Sequence, residues 1–261
     1  MEIELNREKE KLTSWSWRRS GRDLLMPAVC FACEKPISPE SEVLLCQSCY
    51  RTFHPEDLQK LCTGCGARFP GEASMLSDCF FCRSWNAPFN SVTSVANYAG
   101  PLREFVIRMK RRGGQIMALQ LGTLLALHLR NRLSHEVHTD IDWVTPMPCY
   151  WQRRLRRGFN VPDLLAESIV GYQQFRGKFK KTLRVRHKTQ KQGTLTQSQR
   201  FKNVKNCFRI YGNSSLKGAT ILLVDDVMTS GATAIQAAST LRNAGAGKIH
   251  LAIVARGIGQ R

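Results

Sequence analysis

The chain is short of acid and has no long apolar run. Only 20 Asp and Glu stand against 39 Lys and Arg, a formal net charge of +19 over 261 residues. An imbalance of that size says little about fold, but it selects anionic partners: nucleic acid, phosphorylated metabolites or an acidic surface. The longest apolar stretch, Ile116 to Leu129, is interrupted by Gln120, Gly122, Thr123 and His128. Nothing therefore reaches the ~18–20 apolar residues that a membrane span requires. Arg18 and Arg19 precede a short apolar patch, Leu24-Leu25-Met26, which runs almost at once into a cysteine pair. That is too short for an export signal, so a cytoplasmic chain is expected. Hydrophobic residues make up 43% and charged residues 23%, an ordinary globular balance that excludes wholesale disorder.

Cysteine, by contrast, is plentiful and ordered. Eight of the ten cysteines form four Cys-x-x-Cys pairs: Cys30/Cys33, Cys46/Cys49, Cys62/Cys65 and Cys79/Cys82. A Cys-x-x-Cys turn aims two thiolates at one point, and two such turns make a tetrahedral four-sulfur cage for zinc. Two structural zinc ions are expected. The sequential pairing (30, 33, 46, 49 and 62, 65, 79, 82) is the default, with a cross-braced arrangement as the alternative. Disulfides would need an oxidising compartment, and a thioredoxin-like redox site would use one pair rather than four. So small a module has little core, and metal would supply its folding energy. Four sulfurs leave no open coordination position, so no chemistry is expected there. Of the remaining two, Cys207 reads as core, and Cys149 as a buried thiol or a residue facing a site.

From Ser91 onward strands and helices alternate. Val92–Tyr98 alternates as a strand, and Pro101 suits the first turn of a helix carrying Leu102, Phe105, Val106 and Met109. After Gly113-Gly114 a leucine-rich helix should run to about Leu133. Ile141–Val144 reads as a short buried strand, Val161–Tyr172 as a helix capped by Asn160, and Thr182–Val185 as a further strand. The clearest segment comes last: an apolar strand, Ala219–Val224, a glycine-bearing loop, a small-residue helix near Ala232–Ala244, and a buried strand, Lys248–Ala255. That is a βαβ unit, and it implies an α/β fold with a parallel sheet covered by helices.

The loop of this unit carries the chemistry. Asp225 and Asp226 follow Ile221-Leu-Leu-Val224, at the strand end where open α/β sheets bind ligands. Val227 and Met228 lead into Thr229-Ser230-Gly231-Ala232-Thr233 at a helix start, where free N–H groups, the helix dipole and three hydroxyls favour a phosphate. A diol on the acids and a phosphate in the loop describe a ribose 5-phosphate. A plain acidic turn and N-cap would account for one Asp and one Thr, but not for both acids and the whole run.

All thirteen residues from Ile221 to Thr233 resemble the signature of type I phosphoribosyltransferases. The resemblance implies phosphoribosyl pyrophosphate as ligand, with Asp225 and Asp226 on the ribose hydroxyls, Val227–Thr233 around the 5′-phosphate, and Mg²⁺ on the pyrophosphate and ribose. With the cysteine pairs ahead of it, Lys110 before a glycine, Arg156-Arg157-Gly158-Phe159-Asn160, Lys188-Thr189-Gln190, Arg200 and Asn203, the chain resembles the ComF family, linked to competence and the use of external DNA. Over residues 24–255 one departure stands out: Val161 occupies a position where the family commonly has Gln. The resemblance implies a tail over 1–23, a double zinc ribbon over 24–88 and a phosphoribosyltransferase-like domain over 89–261. It puts Thr145–Cys149, with Pro146 and Met147, at the pyrophosphate loop. Arg156 and especially Arg157 would reach phosphates, and Lys188–Gln192 with Arg200 would form a mobile cover.

The positive charge is also concentrated. Fifteen Lys and Arg lie between Trp151 and Lys205 with only Asp163 and Glu167, a net +13. A pyrophosphate needs two or three cations, and the excess points to single-stranded nucleic acid as a second partner. Trp151, Phe159, Tyr172, Phe175, Phe179 and Phe201 lie among these charges, either to stack on bases or to anchor elements. Three functions follow as expectations: a DNA-uptake protein binding phosphoribosyl pyrophosphate and single-stranded DNA, with other uptake proteins as possible partners; a catalytic phosphoribosyltransferase of unknown acceptor; or a zinc-ribbon adaptor with a vestigial transferase half.

Overall fold

The computed structural model describes residues 28–38, 41, 43–53, 61–68, 79–83, 85, 87–133, 140–172, 175–190, 195–212 and 215–258. The expected N-terminal tail, and Lys191 and Gln192 of the expected cover, lie outside these residues. The chain divides into two compact units, Met1–Thr52 and Phe53–Arg261.

In the first unit a Val29–Pro36 bridge closes the turn that carries Cys30 and Cys33. The Cys30 amide donates to the Lys35 carbonyl (2.8 Å), and the Phe31 amide to the Leu44 carbonyl (2.9 Å). Cys46 precedes helix α1 (Gln47–Phe53), whose first turn carries Cys49.

The second unit is built on a five-stranded parallel sheet. Its strands are β1 (Ser91–Asn97), β2 (Trp143–Pro146), β3 (Lys178–Phe179), β6 (Ile221–Met228) and β7 (Ile249–Arg256), in the spatial order β1-β7-β6-β2-β3. A separate antiparallel pair, β4 (Leu183–Val185) and β5 (Phe208–Ile210), stands beside it. Two helices precede β2: α2 (Gly100–Met109), with Pro101 in its first turn, and α3 (Gln115–Arg132). Then come α4 (Trp151–Arg157), α5 (Val161–Gly171), α6 (Gln197–Val204) and α7 (Ala232–Asn243).

Burial follows the strand period. Ile221, Leu223, Leu251 and Ile253 join one core cluster with Ala234, Ala237, Ala238 and Leu241 of α7. Leu222 and Val224, also fully buried, point to the opposite face, where α5 packs on β6 and β2 and α3 packs on α5. Alanines on the buried side of α7 let its backbone lie close to the sheet. Gly122 does the same for α3: a Cβ there would meet Ser168 at 2.6 Å, so only glycine permits this approach to α5.

The edge of β1 is not bare. The turn carrying Cys62 and Cys65 lies along it, with the Val92 amide donating to the Thr63 carbonyl (2.7 Å). The Ser94 hydroxyl donates to the Gly66 carbonyl (2.6 Å), and the Asn97 side chain exchanges two bonds with the Arg68 backbone.

The expected elements are present with shifted ends. β2 begins and ends two residues later than expected, because pairing with Ile221–Val224 carries it through Pro146. β6 runs four residues past Val224, since β7 pairs with it as far as the Met228–Arg256 register. Helices α4 and α6 were not expected. α6 opens on a reciprocal capping box, Thr196 with Gln199, which supports a largely polar helix.

Candidate functional site

The four sulfurs of Cys30, Cys33, Cys46 and Cys49 gather in one group, and those of Cys62, Cys65, Cys79 and Cys82 in another, each within 4.8 Å. The pairing is thus sequential. The separations Cys33–Cys46 (3.6 Å), Cys62–Cys82 (3.7 Å) and Cys65–Cys79 (3.7 Å) match the edge of a zinc tetrahedron, about 3.8 Å for Zn–S bonds of about 2.3 Å. All eight cysteines are free thiols, and both donor sets fit zinc. Both groups hold thiols below the ordinary range, Cys30 among them: its burial is outweighed by backbone hydrogen bonds. Cys46 is lowered to about 6, chiefly by the Ser48 hydroxyl, and Cys62 to about 5, chiefly by the Cys65 thiol. Two arginines attend the second group. Arg132, whose Nη2 donates to the Leu61 carbonyl (2.7 Å), lies in the field of Cys62 and Cys65, and Arg256 in that of Cys65. A four-thiolate zinc site carries net negative charge, which these cations offset.

Asp225 and Asp226 lie inside β6, with Asp225 in register with Ile253. The sequence pattern placed them after the strand; pairing with β7 draws them into the ladder. The Asp226 amide donates to Asp225 Oδ1 (2.8 Å), and Lys110 Nζ, just past α2, contacts Asp226 Oδ2 (2.8 Å). Burial, followed by the charge of Asp226, pushes the Asp225 carboxyl up to about 8; Lys110 works in the opposite direction. An acid pair so short of positive charge suits a cation or a diol.

The loop after β6 is held from within. Arg256, 2% exposed at the end of β7, donates through Nη1 to the Met228 carbonyl (3.1 Å) and also to the carbonyls of Thr229 and Gly257. The carbonyls of Met228 and Thr229 are thus occupied on the protein side. Gly231, at φ +75, is the N-cap of α7 and makes no side-chain cap. The Ile235 amide bonds the Gly231 carbonyl, and ahead of it the Ala232 amide donates to Ser230 Oγ (3.5 Å) at the positive end of the helix dipole, where anions are favoured.

These parts meet at a cavity of about 780 Å³. Asp225, Asp226, Val227, Thr233 and Lys110 line it together with Met147, Arg153, Arg156, Arg157 and Lys188. Of the expected residues, Asp225, Asp226, Val227, Thr233, Met147, Arg157 and Lys188 therefore converge. Pro146 does not: it is a buried residue of β2, one position behind the lining. Met228, Thr229, Ser230, Gly231 and Ala232 form the turn behind Thr233 rather than the cavity wall. Asn160 stands at the N-cap of α5 but makes no cap bond. Its Nδ2 donates to the Met147 carbonyl (3.1 Å) and to Asp163 Oδ1 (2.7 Å), which fixes the segment after β2. Cys149 lines the cavity with its thiol pushed up, first by burial and then by Asp163, so it is no activated nucleophile. Arg200 reaches across from α6, its Nη1 donating to Thr229 Oγ1 (3.3 Å). Asn203 exchanges bonds with the Gln190 backbone.

Arg153, Arg256 and Trp85 at this site had not been expected there. Arg256 closes a strand that is apolar from Leu251 to Ala255, and a buried cation in that position was the available signal. Trp85, whose ring covers Gly231 and lies under Arg256 (5.2 Å), gave none. Of the aromatics expected to stack on bases or anchor elements, Phe159 and Phe175 are buried and belong to the core; Trp151 and Phe201 are exposed.

A domain profile described as "Phosphoribosyl transferase domain" matches residues 165–261. The "DNA utilization protein YhgH" of Escherichia coli O6:H1 is 30% identical over 176 residues, 66% of this chain and 75% of that protein. Its namesake in Salmonella typhimurium is 30% identical over 229 residues, 87% of this chain and 96% of that protein. The "Competence protein F" of Haemophilus influenzae is 27% identical over 180 residues, covering 68% and 78%. With two four-cysteine groups ahead of a parallel sheet that carries the phosphoribosyltransferase signature, the chain belongs to the ComF family.

Proposed function

We propose that this protein binds phosphoribosyl pyrophosphate, or a related ribose phosphate, with Mg²⁺ in the cavity at the end of β6, and that it serves the uptake and use of single-stranded DNA in the cytoplasm. The observation that carries the reading is the convergence of the acid pair and the basic wall on one cavity. Asp225 and Asp226 accept from the ribose hydroxyls. The N–H groups at the start of α7 receive the 5′-phosphate. Arg153, Arg156, Arg157 and Lys188 face the pyrophosphate. Mg²⁺, a hard cation suited to carboxylate and phosphate oxygens, supplies further charge neutralisation when bound.

The names of the relatives, DNA utilization and competence, support the DNA side of the reading, as does the net +13 between Trp151 and Lys205. Other uptake proteins are the expected partners. Among the described residues no helix is long and apolar enough to cross a membrane.

A second reading, turnover, is favoured by the apolar residues Val185, Val204 and Phe208 in the cavity lining, which suit an acceptor with an apolar face. Pyrophosphate would then leave the anomeric carbon through an oxocarbenium-like transition state, stabilised by the acids and the basic wall.

Calorimetric titration with phosphoribosyl pyrophosphate and Mg²⁺ tests both readings. Saturable binding that is lost in Asp225→Ala/Asp226→Ala supports the site. No binding by the wild type would leave a zinc adaptor with an idle cavity. Pyrophosphate release on adding candidate acceptors would establish turnover.

A further inference from the structure

Helix α4 (Trp151–Arg157) is seven residues long and buries none of them. Trp151 is 60% exposed and Leu155, one turn on, 75% exposed. Residues four apart share a helix face, so an apolar stripe is turned to solvent. Arg153, Arg154, Arg156 and Arg157 make up most of the rest, and none of them has a carboxylate partner among the described residues. Tyr150 holds its ring 5.9 Å from that of Trp151, at 43°, which makes a two-ring ledge. Among the described residues the stripe covers no core and the cations neutralise no acid.

We propose that α4 is the contact for single-stranded DNA, and that its arginines make the strand and the ribose-phosphate ligand antagonists. The proposal rests on the functional reading above and adds the place and the regulation. An exposed aromatic ledge bordered by unpaired guanidinium groups matches a single strand, whose bases have free faces and whose phosphates are evenly spaced. A duplex offers no free base faces to Trp151. A bilayer is a poorer match, because surface-bound amphipathic helices present a broad apolar face, and this one has two residues. The antagonism follows from Arg153, Arg156 and Arg157, which also line the cavity. A guanidinium turned outward to a DNA phosphate is withdrawn from the pyrophosphate.

The test is fluorescence anisotropy with a labelled oligothymidylate, long enough for a site of about 4–16 nucleotides, on the full zinc-loaded chain. Trp151→Ala/Leu155→Ser changes only exposed side chains, so its thermal melt should match the wild type. It should lose about tenfold or more in oligothymidylate affinity, since one stacked base contributes roughly that much. Its titration with phosphoribosyl pyrophosphate and Mg²⁺ should be unchanged. Adding that ligand to the wild-type complex should release DNA, and a shift in DNA affinity of less than about twofold would overturn the shared wall. Wild-type affinity in the double variant overturns α4 as the contact while the DNA reading stands. A wild type that fails to hold the oligonucleotide even at low salt overturns the DNA reading itself. Binding to phosphatidylserine vesicles that the double variant loses, with no oligonucleotide effect, assigns the stripe to a membrane and overturns the proposal.

Discussion

The indole of Trp85 lies against Gly231: a Cβ on that glycine would come within 2.9 Å of ring atom Cη2. The Trp85 amide donates to the Cys82 carbonyl (2.8 Å), so the residue that covers the loop after β6 hangs from a member of the second four-cysteine group. Arg256 lies over the same ring and holds the loop carbonyls. Metal group, ring, cation and loop form one continuous support.

Removing the ring should therefore loosen the loop. Trp85→Ala is expected to weaken phosphoribosyl pyrophosphate binding about tenfold and to cost about 2 kcal/mol of stability, less than for a wholly buried Trp. Gly231→Ala should weaken binding at least as much, because it combines a clash with a backbone at φ +75 that alanine disfavours. Calorimetric titration and urea denaturation check both.

Metal should act through the same support. Elemental analysis should return two zinc ions per chain, one for each four-cysteine group. Cys62→Ser or Cys79→Ser should lose one zinc and weaken ligand binding, even though neither residue lines the cavity. Cys33→Ser, in the other unit, should lose one zinc and leave ligand affinity unchanged.

Asp225 should give the protein a pH signature. Its carboxyl ordinarily titrates near 3.8 and is pushed up to about 8 in the fold, by burial first and the Asp226 charge second. A raised carboxyl destabilises the fold once the unfolded chain can ionise. The cost is absent below about pH 4, grows from there to about pH 8, and is constant above. The melting temperature of the unliganded protein should fall over that window. Asp225→Asn should remove this component and raise the melting temperature by a few degrees at pH 8. Ligand with Mg²⁺ needs the ionised pair, so affinity should rise over the same window with proton release. Lys110→Met, which removes a charge that holds Asp225 down, should move the inflection to higher pH.

Arg200 ties α6 to the loop through Thr229. Arg200→Ala should leave the sheet intact, speed ligand release about threefold to tenfold, and raise amide exchange over 195–204. Stopped-flow release and hydrogen exchange by mass spectrometry measure the two effects, and Thr229→Ala should reproduce the first.

Much of this was legible along the chain because the signals are local. The cysteine spacing gave both metal groups, and the Ile221–Thr233 run gave the acids and the turn before α7. What stayed hidden depends on contacts distant in sequence. β6 extends past Val224 only because β7 lies beside it as far as Arg256. Trp85 meets Gly231 across most of the second unit. Helix α4 offers a single apolar pair, Trp151 and Leu155, too little to announce a helix, and it buries nothing. Helix α6 was readable after all: Thr196 and Gln199, three apart, are a capping box, a start signal carried by two polar residues.

The Cys62–Cys65 turn that lies along β1 sets a rule for self-association. Strand exchange between molecules needs an open border, and on that side the border is occupied by a turn that the second cysteine group would lock in place when it holds zinc. Cells starved of zinc would then hold chains whose sheets can zip together, so metal supply would govern how many of these molecules stay single.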